Sequence, residues 1–288
     1  MDQRLADLLA LLELEQLEVN LFRGASRDIG VPQVFGGQVL GQALSAAAAT
    51  VEAARIVHSL HAYFLLRGDP HAPIVYQVDR SLDGHSFTNR RVIAIQHGAQ
   101  IFNMTASFQV PEEGFAHQAA MPAVPPPEEC STYSGPGPEL LARMPPRLQR
   151  FFQEPRPFEF CPVQPIEYLQ PRREAPARQI WFRAVGALPA DEMLHRRLLA
   201  YVTDFFLLDT STLPHGVSFL SPSLIMASID HAVWYHRPLR VDDWLLYAME
   251  SPSASGARGF ARGSVYARDG RLVASTAQEG LVRMRKPS

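Results

Sequence analysis

The strongest constraint on this chain is that it reads as two copies of one order of elements. "VFGGQVLGQALSAAAAT" (34–50) is an apolar, alanine-rich helix by its period, and four runs with strand chemistry follow at about 56–66, 73–82, 86–96 and 100–110. In the second half, a helix at about 191–208 precedes similar runs near 223–237, 243–251, 257–268 and 271–284. Further strand-like sequence lies ahead of each helix: "LEVNLFRG" in one half, "FEFCPVQPIEYL" and "RQIWFRAV" in the other. Between the copies, residues 109–150 hold nine prolines and little periodicity, the composition of a linker. The expected division is 1–110 for the first repeat, 111–150 for the proline-rich linker and 151–288 for the second repeat.

The copies can be laid on one another. "LHAYFLLRG" (60–68) matches "DHAVWYHRP" (230–238), setting His61 on His231, Arg67 on Arg237 and His58 on Ser228 at one common spacing. "MTASF" (104–108) matches "STAQE" (275–279) at a spacing one residue longer. A duplicated unit of one apolar helix and an antiparallel sheet predicts an α+β double hotdog, each helix wrapped by its own strands. If the copies meet about a two-fold axis, His58 and Ser228 approach each other and form one reaction centre per chain.

Within the second helix, "LLAYVTDFFLL" (198–208) places a single carboxylate, Asp204, in a segment apolar on nearly every side. Such a helix is expected to be buried. Its acid then needs partners, and burial raises its pKa. The first-half helix has no acid between Val34 and Val51, so the two halves are unequal.

Composition narrows the function classes. Apolar residues make up 47%, charged residues 19%, and the formal charge is −2, which describes a globular chain with no electrostatic case for nucleic acid or an anionic membrane. Almost all the positive charge is arginine, Lys286 being the only lysine. Cys130 and Cys161 have no metal-ligand spacing, and neither do His61, His231 and His236, so no metal or other cofactor is expected. The N-terminal leucines recur at helical spacing among acids, unlike a signal peptide, and no run reaches the roughly 18–20 apolar residues of a spanning helix. The ending "RKPS" is not a peroxisomal address. A cytoplasmic protein is expected.

Several blocks in order across both halves, "VFGGQVLGQAL" (34–44), "SFTNRRV" (86–92), "IFNMTASFQ" (101–109), "DHAVWYHRP" (230–238), "WLLYAMESPSASGARGFARG" (244–263) and "VASTAQEG" (273–280), resemble the acyl-CoA thioesterase II family. The resemblance implies a double-hotdog homo-oligomer that hydrolyses fatty acyl-CoA to free fatty acid and coenzyme A. It also implies a catalytic set of Asp204, Ser228 and Gln278. Two departures stand out: Ser228 replaces the family's usual threonine, and Leu66-Arg67 falls where the family tends to have an arginine-proline pair.

The chemistry fits these groups. Asp204 is suited to take a proton from an attacking water, with Ser228 and Gln278 holding that water in line; direct attack by Asp204 through an anhydride stays open. Backbone N–H groups of "FGGQ" (35–38) are placed to meet charge developing on the carbonyl oxygen, while the glycines equally suit close packing. Arg258 and Arg262 are candidates for the coenzyme A phosphates, or solvent-facing strand arginines. A hotdog hydratase or dehydratase is the nearest rival, but such enzymes tend to carry His five residues after the acid, and residue 209 is Asp. A non-catalytic acyl-binding module has no use for Asp204, Ser228 and Gln278 together. No G-x-S-x-G elbow of a serine hydrolase occurs.

Overall fold

The computed structural model describes residues 1–133, 135–167 and 170–285. Tyr168 and Leu169, at the end of the strand-like "FEFCPVQPIEYL", lie outside the described residues, as does Lys286–Ser288. In chain order, α1 (Gln3–Leu12) buries Leu5, Leu8 and Leu12, and its N-cap Asp2 accepts the Arg4 N–H at 2.9 Å. A hairpin of β1 (Glu15–Glu18) and β2 (Leu21–Gly24) leads to α2 (Gly36–Ala48), then β3 (Ile56–Phe64), β4 (Ile74–Asp83), β5 (Phe87–Gln96) and β6 (Ala99–Gln109).

The proline-rich stretch forms two short helices, α3 (Pro138–Ala142) and α4 (Pro146–Gln153), each with proline in its first turn, where a missing N–H breaks no helical bond. After them come β7 (Phe158–Pro162), β8 (Ala177–Ala184), α5 (Glu192–Val202) and a 3₁₀ segment, Leu208–His215. The remaining strands are β9 (Leu224–Ser228), β10 (Asp230–Tyr235), β11 (Leu245–Ser255), β12 (Arg258–Ala267) and β13 (Leu272–Met284).

All these strands join one sheet, with β1-β2-β4-β5-β6-β3 running into β10-β13-β12-β11-β8-β7 and β9 beside β13. The junction is the antiparallel pair β3–β10, with Asp230 opposite Tyr63 and Trp234 opposite Ser59. Inside the sheet α2 and α5 pack antiparallel. Gly37 abuts the Tyr201 carbonyl so closely that any Cβ would overlap it, and Gly41 faces the Arg197 carbonyl. The architecture is the α+β double hotdog. It sets the N-terminus of α2 beside the C-terminus of α5.

Three expectations are corrected. First, the match between halves is one residue out. Leu60 and Ala62 are buried on β3 while His61 is exposed; on β10 it is His231 and Val233 that are buried. Setting His61 on His231 therefore puts an outward side chain on an inward one, the consequence of any one-residue slip in a strand. Burial phase and the cross-strand ladders align Leu60 with His231, Ala106 with Gln278 and Arg90 with Ala261. Val57, not His58, then corresponds to Ser228.

Second, His58 and Ser228 do not converge. His58 lies at a bulge between Val57 and Ser59, past one end of the β3–β10 ladder, and Ser228 lies past the other end. Third, α5 stops at Val202 instead of running to about 208. Thr203 is its C-cap, and Phe206 takes a left-handed φ of 66°, which a continuous helix does not accommodate. Asp204 sits in the turn just beyond the helix.

Candidate active site

Asp204 is brought to its place from two sides. The end of α5 presents it, and the N-terminus of α2 receives it. That N-terminus has no side-chain cap of its own, and the Gly37 N–H donates to the Asp204 carboxylate. The acid thus caps a helix from the other half of the chain. A Cβ at Gly36 would stand 2.6 Å from Asp204 Oδ2, so glycine at this position permits the contact. Of the N–H groups of "FGGQ" expected to serve a carbonyl oxygen, that of Gly37 faces the carboxylate instead, and the close-packing role of the two glycines is also observed.

From β13, Gln278 reaches the same group. Its Nε2 donates to Asp204 Oδ1 at 2.9 Å and to Ser228 Oγ, on β9, at 3.0 Å. Gln278 is fully buried, and its Oε1 has no hydrogen-bond partner. Because the amide supplies both hydrogens as donors, the Ser228 oxygen accepts, and its own O–H is left to donate elsewhere. Burial pushes the Asp204 pKa up to about 6, against the lowering effect of the Gln278 amide and the Gly37 N–H. The three predicted site residues therefore form one hydrogen-bonded cluster.

Asp204 and Ser228 line a cavity of about 1160 Å³. Its wall is mainly apolar and aromatic, with Phe35 and Phe64 from the first half and Phe160, Phe205 and Phe206 from the second. The expected linker contributes Tyr133 and Leu148 to the same space, and Phe151 and Phe152, the first residues of the expected second repeat, line it as well. Arginines are present at Arg4, Arg67, Arg147, Arg156 and Arg285. Arg258 and Arg262 are not among the lining residues; they are half-exposed and pair with Glu279 at 2.9 Å and Glu250 at 2.6 Å.

Comparison with known proteins decides the family. A family model described as "Acyl-CoA thioesterase" matches residues 152–281, and one described as "Acyl-CoA thioesterase N-terminal domain" matches residues 24–109. The chain is 43% identical to acyl-CoA thioesterase 2 of Haemophilus influenzae across 98% of its own length and 99% of that protein. It belongs to the acyl-CoA thioesterase II family. Human acyl-coenzyme A thioesterase 8 is 42% identical, over 95% of this chain and 88% of the relative. The crystal structure of an acyl-CoA thioesterase II, TesB2, from Mycobacterium marinum superposes with a TM-score of 0.78 at 40% identity, covering 98% of this chain and 99% of that one.

Other residues of this family member fall outside the cluster. His58 Nε2 lies 2.8 Å from Ser107 Oγ, a satisfied strand histidine. Trp234 packs edge-on to His61, and the buried Tyr235 donates to the Arg196 carbonyl at 3.0 Å, so the pair serves sheet packing. Sequence reasoning passed over His231, which is fully buried with Nδ1 3.8 Å from Asp204 Oδ1. A signal was available: in "DHAVWY" the histidine alternates with Val233 and Tyr235, which marks the inward face of a strand.

Proposed function

We propose that this protein hydrolyses fatty acyl-CoA thioesters to free acid and coenzyme A, using one water per turnover. The observation that carries the reading is the Asp204–Gln278–Ser228 cluster on the wall of a large apolar cavity. Asp204 acts as general base. Water gives it a proton while the water oxygen attacks the thioester carbonyl, and collapse of the tetrahedral adduct expels the thiolate, which recovers the proton. A carboxylate titrating near 6 is ionised at neutral pH yet more basic than a free Asp. Gln278 fixes Asp204 and Ser228 relative to each other, and the unspent Ser228 O–H orients the reacting oxygen atoms in the cavity.

The acyl chain occupies the aromatic wall, and Arg67, Arg147 and Arg285 are the arginines we assign to the coenzyme A phosphates in place of Arg258 and Arg262. The same reading takes the chain as a cytoplasmic homo-oligomer with one centre per chain. No helix among the described residues is long and apolar enough to cross a membrane. Release of free thiol from palmitoyl-CoA, followed with a thiol reagent, tests the reaction. Stoichiometric thiol and palmitate are expected. Consumption of an enoyl-CoA without thiol release would replace hydrolysis by hydration.

A further inference from the structure

One buried titratable group beside the cluster has no part in the proposed hydrolysis. His231, on β10, is fully buried. Its Nε2 lies 3.2 Å from Thr203 Oγ1, the residue before Asp204. Its Nδ1 has no hydrogen-bond partner, yet it stands 3.8 Å from Asp204 Oδ1. Burial pushes its pKa down to about 3, so the ring is neutral and the pair is not a salt bridge.

A neutral imidazole carries one N–H, and its two tautomers differ sharply here. With the proton on Nε2, the Nδ1 lone pair faces a carboxylate oxygen 3.8 Å away, acceptor against acceptor. With the proton on Nδ1, the N–H dipole points toward Asp204, and Nε2 accepts the Thr203 hydroxyl at 3.2 Å, the shorter of the two contacts open to that hydrogen, the other being the Ala200 carbonyl at 3.4 Å. The second arrangement gives Nε2 a donor and turns the Nδ1 dipole favourably toward the carboxylate.

We propose that His231 is a positioning residue of the reaction centre: as the Nδ1–H tautomer it directs its N–H at Asp204 Oδ1, reserving Oδ2 for the proton of the attacking water. Gln278 Nε2, 2.9 Å from the same Oδ1, is the second donor to it. Both side-chain donors thus address one oxygen of the base. The inference rests on the reading of Asp204 as general base. The other titratable groups whose charge reaches Asp204 are Tyr201 on α5 and Tyr247 on β11, and burial raises the pKa of each, keeping them neutral. From α2, β9 and β13 the acid meets Gly37, Ser228 and Gln278, none of them charged.

Three substitutions separate positioning from packing. His231→Asn keeps a donor near the Nδ1 position, His231→Gln keeps one near Nε2, and His231→Phe keeps neither. Loss of the Nδ1 donor weakens support for the ionised base, so the acidic limb of kcat/KM should move up by roughly half to one pH unit in the Gln and Phe variants. In the Asn variant it should stay near the wild-type position. Nitrogen-15 NMR of His231 in the intact wild-type protein should show the Nδ1–H tautomer, a measurement independent of whether the variants fold. An Nε2–H tautomer, or activity lost evenly across pH with an unmoved limb, overturns the proposal. If Asp204→Asn remains active, the general-base reading fails first; if it is inactive and the limb is unmoved, only the role of His231 fails.

Discussion

The two halves of the sheet hold the same place twice and fill it in opposite ways. In the first half, Arg90, Ala106 and Leu60 occupy the positions that Ala261, Gln278 and His231 take in the second, and all six are buried. A long polar side chain and an alanine have exchanged strands. Arg90 spends its guanidinium fully, on Thr50 Oγ1 at 2.9 Å, the Thr50 carbonyl at 3.0 Å, two further carbonyls and Asp83. Thr50, two residues past the end of α2, stands where Asp204 stands two residues past α5.

The helix ends differ in the same sense. Asp191 caps α5 with its own side chain, at 3.1 Å from the Leu194 N–H, whereas α2 depends on Asp204. In the second half, Gln278 Oε1 and His231 Nδ1 are left without partners around one carboxylate. The other unpartnered buried side-chain atoms among the described residues, on Arg55, Arg196, Asp209 and Asp242, each belong to a residue with another polar contact. Buried polar groups are normally satisfied, and exceptions concentrate where chemistry is done. One copy of the unit has become a plug and the other a site.

The largest effect that tests this contrast is on turnover. Asp204→Asn keeps the shape and removes the base, so kcat should fall by about 10²–10⁴; near-normal thiol release by a folded variant would detach the carboxylate from the reaction. Arg90→Met is the mirror experiment. It strips donors from buried carbonyls of the first half and should cost about 2–4 kcal/mol in denaturant unfolding. Its kcat should change little, because independent sites couple weakly. A large loss of kcat with intact stability would mean that the first-half centre takes part in catalysis.

Asp204→Asn should also stabilise the protein, with a pH dependence of known sign. The folded pKa of Asp204, about 6, lies above its ordinary 3.8. Its ionised form is therefore disfavoured by folding, and the stability held below pH 4 is lost as pH rises through 6. Removing the charge should recover about 2–3 kcal/mol at pH 7.5 and nothing near pH 4. Equal melting temperatures of variant and wild type at pH 7.5 would contradict a buried, ionised acid. The smallest effect is at Ser228: alanine should cost about tenfold in kcat/KM, one hydrogen bond's worth, while threonine should stay close to serine. Equal activity in all three forms would reduce the position to packing.

Much of this was legible in the chain. Helix and strand order followed from periodicity, and Asp204, Ser228 and Gln278 from the family resemblance; the structure brings all three into contact. Three things were hidden, each for a physical reason. Matching letters between strands ignored their two-residue period, so His61 fell on His231 and His58 was mistaken for the counterpart of Ser228. The apolar run through 198–208 continues past the end of α5, because burial persists where the backbone turns at Phe206. The part played by Tyr133 and Leu148 in the cavity wall depends on where a segment without periodicity comes to rest.

The most direct test of one plug and one site is a count. A tight-binding, non-hydrolysable acyl-CoA analogue, titrated by calorimetry into protein of known active fraction, should saturate at one equivalent per chain. Two equivalents of similar affinity per chain would show that the first half retains a working site, and the contrast between the halves would fail.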